Sequence, residues 1–151
     1  MSDELARAYP TNTLLNFYWL PTIRAAVQLN RKDANKALES LEAAADYELG
    51  NPPPFELGSL YPVYIRGEAH LAARHGDEAA KEFQKIVDHR GIVRNYPLGA
   101  LAHLGLGRAR ALAGDTAGAR AAYQDFFALW KDADPDIPIL KEAKAEYAKL
   151  Q

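Results

Sequence analysis

Apolar residues recur at three- and four-residue intervals along almost the whole chain, and strict two-residue alternation is nearly absent. That period predicts helices and leaves no segment for a sheet. The first runs from about Asn12 to Asn30, with Leu15, Trp19, Ile23 and Ala26 on one stripe. Pro21 interrupts it, and a ring that clashes with the preceding turn and lacks an N–H predicts a kink or a restart there. A second helix, Asp33 to about Tyr47, places Ala37, Leu41, Ala44 and Ala45 together. The run Glu48-Leu49-Gly50-Asn51-Pro52-Pro53-Pro54 reads as an extended connector. A third helix is expected from Phe55 or Glu56 to His75 and a fourth from Asp77 to His89, with Gly76 as the left-handed corner. Gly91 is expected to close the fourth, before a loop from Ile92 to Tyr96. Pro97 opens a fifth helix that ends at Gly114, and Asp115 or Thr116 caps a sixth that runs to about Lys131. Asp134-Pro135-Asp136 starts a seventh, amphipathic helix over about 136–150, and residues 1–11 are expected to be a flexible lead-in.

Composition narrows this picture. The chain has 151 residues, 48% of them hydrophobic and 25% charged, enough to build one core without disulfides or a structural metal. It has no cysteine, which removes thiolate chemistry and Cys-ligated zinc. Eighteen Lys and Arg against 20 Asp and Glu give a net charge of −2 without long runs of one sign, an argument against a nucleic-acid or polybasic membrane surface. No apolar run is long enough to insert in a membrane, and Met1-Ser2-Asp3-Glu4 lacks the order of a signal peptide. With 28 alanines, 19 leucines and three serines, the composition favours helices packed at close range.

An internal repeat explains the bias. Ala25, Gly67 and Gly107 stand 42 and 40 positions apart, and Ala37, Ala79 and Ala119 follow twelve residues after each. Four residues further lie Leu41, Phe83 and Tyr123. Two antiparallel helices approach closely only where small residues face each other, and the larger side chain fills the gap one turn on. A small residue followed by Ala and then an aromatic at these offsets resembles the tetratricopeptide repeat in three copies, about 12–48, 55–90 and 97–131, inside a single domain covering 12–151. The period exceeds the usual ~34 residues. The helix-start Trp is missing, and Gln28, His70 and Arg110 replace the usual Tyr. The resemblance implies an all-α, right-handed superhelix of three helix hairpins plus a C-terminal capping helix.

The stretches Trp19-Leu20-Pro21-Thr22-Ile23-Arg24-Ala25-Ala26, Tyr47-Glu48-Leu49-Gly50, Asp88-His89-Arg90-Gly91 and Trp130-Lys131-Asp132-Ala133-Asp134-Pro135-Asp136 resemble the C-terminal repeat regions of bacterial eukaryote-like serine/threonine kinases. No kinase chemistry comes with them: there is no phosphate-covering Gly-rich strand loop and no Asp-Phe-Gly, and Gly91 stands where a catalytic Asp would. The implied function is a non-catalytic protein–protein interaction scaffold, the accessory region of such a kinase. The alternative is a free-standing adaptor or a self-associating repeat protein. The first helix of each pair in this family lines a concave face that holds a partner peptide. Carried over, the groove positions are Trp19, Thr22, Ile23 and Ala26, then Tyr61, Tyr64, Ile65 and Glu68, then Leu101, Leu104, Gly105 and Arg108. The carboxylate-clamping Lys and Asn of the chaperone-tail-binding members are missing from these sites. A cytoplasmic location follows for a free-standing chain, and an extracytoplasmic one for repeats placed after a membrane span.

Other candidates favour structural readings. Gly105-Leu106-Gly107-Arg108-Ala109-Arg110 half-matches a dinucleotide fingerprint, but its glycines are mid-helix at the repeat's close-approach position. His70, His75, His89 and His103 form no i, i+4 metal-binding pair, so neither a metal nor a cofactor is expected. Ser40 and Ser59 lack a nucleophile-elbow context. Arg24 and Arg66 occupy equivalent positions where the repeat usually carries an apolar residue, and a buried guanidinium requires a partner. Glu48 and Glu56 are the expected acceptors, in an Arg–Glu lattice that fixes the long connector; an anion-binding pair in the groove is the alternative.

Overall fold

The computed structural model describes residues 2–50 and 60–150, and among these every regular element is helical. Helix α1 spans Ser2–Ala8. A π-helical turn, Leu15–Trp19, runs directly into α2, Leu20–Asn30. Helix α3, Ala34–Leu41, continues as a 3-10 segment, Glu42–Tyr47. The remaining helices are α4 (Tyr61–Ala72), α5 (Gly76–Asp88), α6 (Arg90–Val93), α7 (Leu98–Leu112), α8 (Thr116–Leu129) and α9 (Pro138–Ala148). Three hairpins, α2/α3, α4/α5 and α7/α8, stack in order: α3 packs on α4 and α5 on α7, while the first helices α2, α4 and α7 touch in sequence.

The three hairpin turns share one hydrogen-bonding scheme. Lys32, Arg74 and Gly114 hold left-handed backbones, at φ 63°, 62° and 85°. The following amides of Asp33, His75 and Asp115 donate back to the carbonyls of Gln28, His70 and Arg110, at 3.0, 2.8 and 2.9 Å. This is the Schellman closure of a helix C-terminus. Asp33 and Asp115 then cap the next helix by accepting from the amides of Lys36 and Gly118. Gly76 is therefore not the left-handed corner; Arg74, two residues earlier, is. A β-carbon on Gly76 would lie 2.8 Å from the Ala113 amide nitrogen, so this glycine lets one hairpin turn rest against the next.

The close-approach positions pair as their spacing predicts. A β-carbon on Gly67 would sit 2.7 Å from the Phe83 ring, and one on Gly107 would sit 2.8 Å from Tyr123. Gly105 meets the Phe83 ring too, at 2.5 Å, so that fully buried ring is held between α4 and α7. In the first hairpin the same role falls to Ala25 and Leu41, clustered with Ala37 and Ala69.

Several element boundaries differ from expectation. The lead-in before Asn12 carries α1, which buries no side chain and is tied to α2 by Arg24 and Asp3 at 2.7 Å. The helix restarts at Leu20, with Pro21 in its first turn; the wider π turn spans Phe17, whose carbonyl a Pro21 ring in a continuous α-helix would strike. Helix α4 begins at Tyr61 and not at Phe55 or Glu56, which lie outside the described residues. Leu60 precedes it in a left-handed conformation, fully buried, with its amide donating to the Tyr18 hydroxyl at 2.9 Å. The fourth helix ends at Asp88, before Gly91, and the loop from Ile92 contains part of α6, which buries Val93 in the core. Helix α9 starts at Pro138 because the Asp134 carboxylate turns the chain by accepting from the Asp136 amide.

The Phe83 sandwich generates a test. Gly67→Ala and Gly105→Ala should each lower stability by about 1–3 kcal/mol through overpacking, outweighing the ~1 kcal/mol helix-propensity gain. Gly91→Ala, whose β-carbon meets nothing within 4 Å, should be neutral or stabilising in the same thermal melts.

Candidate partner-binding face

The first helices of the hairpins bring most of the expected groove residues into one row. Trp19, at the end of the π turn, stands edge-on to Tyr18 at 4.8 Å and lies 6.3 Å from Tyr61 on α4. One turn along α4, the half-buried Tyr64 packs its ring 5.6 Å from Phe83 and donates its hydroxyl to Glu68. Glu68 in turn lies in the field of Arg108 on α7. Burial raises the Tyr64 pKa above its ordinary value, reinforced by the Glu68 charge. Burial also raises that of Glu68, against the opposing pull of Arg108 and of the Tyr64 hydrogen bond. Ile23 projects from α2 half exposed, and Val27 follows one turn later, also exposed. Ala26 and Ile65 are partly covered, the latter against the Ala25–Leu41–Ala69 cluster.

Other positions do not reach that surface. Thr22 is buried, with its hydroxyl donating to the Tyr18 carbonyl at 2.6 Å. Such back-bonding satisfies a hydroxyl inside a helix and leaves no donor for a partner. Gly105 lies under Phe83. Leu101 is partly covered, and Leu104 is buried in one cluster with Leu140 and Ala143 of α9. Arg108 is already engaged: its Nε and Nη2 donate to the two carboxylate oxygens of Glu146 at 2.9 and 3.0 Å, with Glu142 at 3.7 Å. The Tyr123 hydroxyl donates to Glu146 at 2.9 Å. Burial would lower the Arg108 pKa, but Glu146 and Glu68 hold it above its ordinary value. The trough expected over three hairpins is thus open over two, because α9 covers the third. Glu146 escaped the sequence reading since the Lys/Glu alternation of α9 looks like a solvated face; its spacing from Glu142, one turn apart, was the available signal.

The expected Arg–Glu lattice forms around one arginine. Arg66 pairs with Glu48 and, at 3.0 Å, with Glu82, while Lys85 reaches Glu48 at 2.8 Å. Burial opposes the Arg66 charge, and the hydrogen bonds to Glu82 and Glu48 more than restore it. Two cations and two carboxylates therefore close on one another and fasten the end of the 3-10 segment to α4 and α5. Arg24 instead pairs with Asp3, and Glu56 lies outside the described residues. Among the described residues no cluster of three or more His, Cys, Asp or Glu could hold a metal ion, and no helix is long and apolar enough to cross a membrane.

Two expectations follow. Folding favours the protonated form of Glu68, a contribution complete below the ordinary carboxylate range and lost as pH rises through the raised folded value. Glu68→Gln should therefore melt higher than the parent near pH 7, with the gap closing by about pH 3. A chain ending at Asp136 uncovers Leu104, Tyr123 and Phe126; it should elute as aggregate and bind a hydrophobic dye, and a monodisperse, equally stable product would contradict the capping role of α9.

No protein-family model, no curated protein and no solved structure matches this chain.

Proposed function

We propose that the chain is a tetratricopeptide-like scaffold, a right-handed superhelix that binds a partner polypeptide without catalysing a reaction. The observation that carries this is the row of Trp19, Tyr61 and Tyr64 from the π turn to α4, bordered on α2 by the half-exposed Ile23 and by Val27. Aromatic anchors beside exposed aliphatic side chains are the usual composition of a recognition surface. The three equivalent turns and the glycine–aromatic pairs support the repeat reading. The partner segment would lie across α2 and α4 and stop where α9 and the Arg108–Glu146 pair begin. The four sequence stretches that resemble kinase repeat regions support a role as the accessory part of a bacterial serine/threonine kinase.

A photo-crosslinking residue at Ile23, compared with one at the exposed Arg120 on α8, tests the face in the host cell. Position 23 should give one dominant adduct, lost when Val27→Glu is added, while position 120 gives none. A crosslink to a second copy of the chain would select self-association over an adaptor role. Equal labelling from both positions would contradict the assignment of the face.

A further inference from the structure

Ile23 and Val27 of α2 have counterparts in both other hairpins: Ile65 and Ala69 of α4 stand 42 positions on, and Gly105 and Ala109 of α7 a further 40. Each of those later pairs receives the second helix of the hairpin before it. Ala69 is fully buried in one cluster with Ala37 and Leu41 of α3, and Ile65 packs against that cluster. Ala109 shares a buried cluster with Ala79 and Phe83 of α5, and Gly105 lies under the Phe83 ring. The donor is the same both times, a small residue and a large apolar one four positions later. Ile23 and Val27 have no such cover and are 50% and 41% exposed. The end face of a terminal repeat is ordinarily polar. Helix α1 is tied to α2 through Arg24 but leaves both side chains open.

Direction and charge specify what such a face accepts. Gly76, at the start of α5, abuts Ala113, and Phe83, seven residues on, abuts Gly105, so the incoming helix runs antiparallel to the one that receives it. Transferred to α2, its N-terminus would meet position 31 and its large residue Ile23. Position 31 is Arg where the other hairpins carry Ala73 and Ala113. Arg31 is exposed, and its guanidinium pairs with no carboxylate among the described residues. A cation beside a helix N-terminus opposes the dipole unless the first turn carries acid. A second copy of the chain has no such helix to spare: Ala37 and Leu41, Ala79 and Phe83, Ala119 and Tyr123 are all 2% exposed or less within their own stacks.

We propose that the Ile23–Val27 face of α2 is a stacking site for one helix of another protein, with Asp or Glu in its first turn, a small residue resting on Val27 and a leucine-sized one on Ile23. Such a helix presupposes the partner-binding reading and specifies what meets its α2 border. Anchors four residues apart on an amphipathic helix are the usual currency of helix recognition, and small residues let the two axes approach.

A peptide copying residues 33–47 is the probe, because it carries Ala37 and Leu41 at the required spacing. A hydrocarbon staple between positions 35 and 39, on its outer side, holds so short a helix together. Titrated into the full chain, it should shift the methyl resonances of Ile23 and Val27 saturably and leave the leucine methyls of α7 unmoved. Lys36→Glu in the peptide should tighten binding about two- to fivefold at low salt, a gain absent when the chain carries Arg31→Ala. Ala37→Glu in the peptide or Val27→Glu in the chain should weaken binding at least about tenfold, with the melting temperature of the chain unchanged. Equal binding of a peptide broken by Ser40→Pro, no saturable shift up to ~1 mM, or an Arg31→Ala chain that keeps the Lys36→Glu gain would overturn the proposal. Shifts of Ile23 and Val27 on concentrating the chain alone would overturn it too, by making a second copy the occupant. Selective crosslinking from position 23 in the cell together with a silent peptide strikes only the helix; equal crosslinking from positions 23 and 120 strikes the face as well.

Discussion

The Phe83 ring, pressed between Gly67 of α4 and Gly105 of α7, is the constraint on which the stack depends. No β-carbon fits at either glycine, so two successive first helices approach the same ring from two sides. That contact joins the second hairpin to the third, as Ala69 in the Ala25–Leu41 cluster joins the first to the second. Packing at this density leaves little freedom in the relative placement of the hairpins. The row of side chains from Trp19 to Glu68 is one consequence, because each first helix is held at a fixed distance from the next.

Charge does a different job in this protein. Two ion clusters fasten the flanking segments to the hairpins. Arg66, Glu48, Glu82 and Lys85 hold the end of the 3-10 segment, and Arg108, Glu146 and the Tyr123 hydroxyl hold α9. Each group is compensated, as the high cost of an unpaired buried charge requires. The second set also covers the last third of the row of first helices and leaves Trp19, Tyr61 and Tyr64 uncovered by α9.

The helical class, the hairpin pairs and the glycine–aromatic partners were legible because they are local patterns repeated at nearly constant spacing. Gly67 and Phe83 are sixteen residues apart, as are Gly107 and Tyr123, and one hairpin suffices to bring each pair together. Gly114 marks the third corner, where the fifth helix is expected to end, but the first two were not legible, since Lys32 and Arg74 carry them and the nearby glycine, Gly76, lies two residues away from the second. Helix α1 was missed because it buries no side chain and so leaves no apolar stripe. The closing of the face over α7 depends on Arg108 and Glu146, 38 residues apart and on elements joined by an irregular segment, and no periodicity encodes such a pair. Leu104 and Thr22 fell on the expected groove stripe, yet their burial is decided by α9 and by the Tyr18 carbonyl.

The most direct measurement is a set of nuclear Overhauser contacts from the Phe83 ring protons. The account predicts strong contacts to the α-protons of both Gly67 and Gly105, with both glycine resonances shifted upfield by the ring current. A Phe83 ring that contacts only Gly67, with Gly105 at an ordinary shift, would contradict the stacking of the second hairpin on the third.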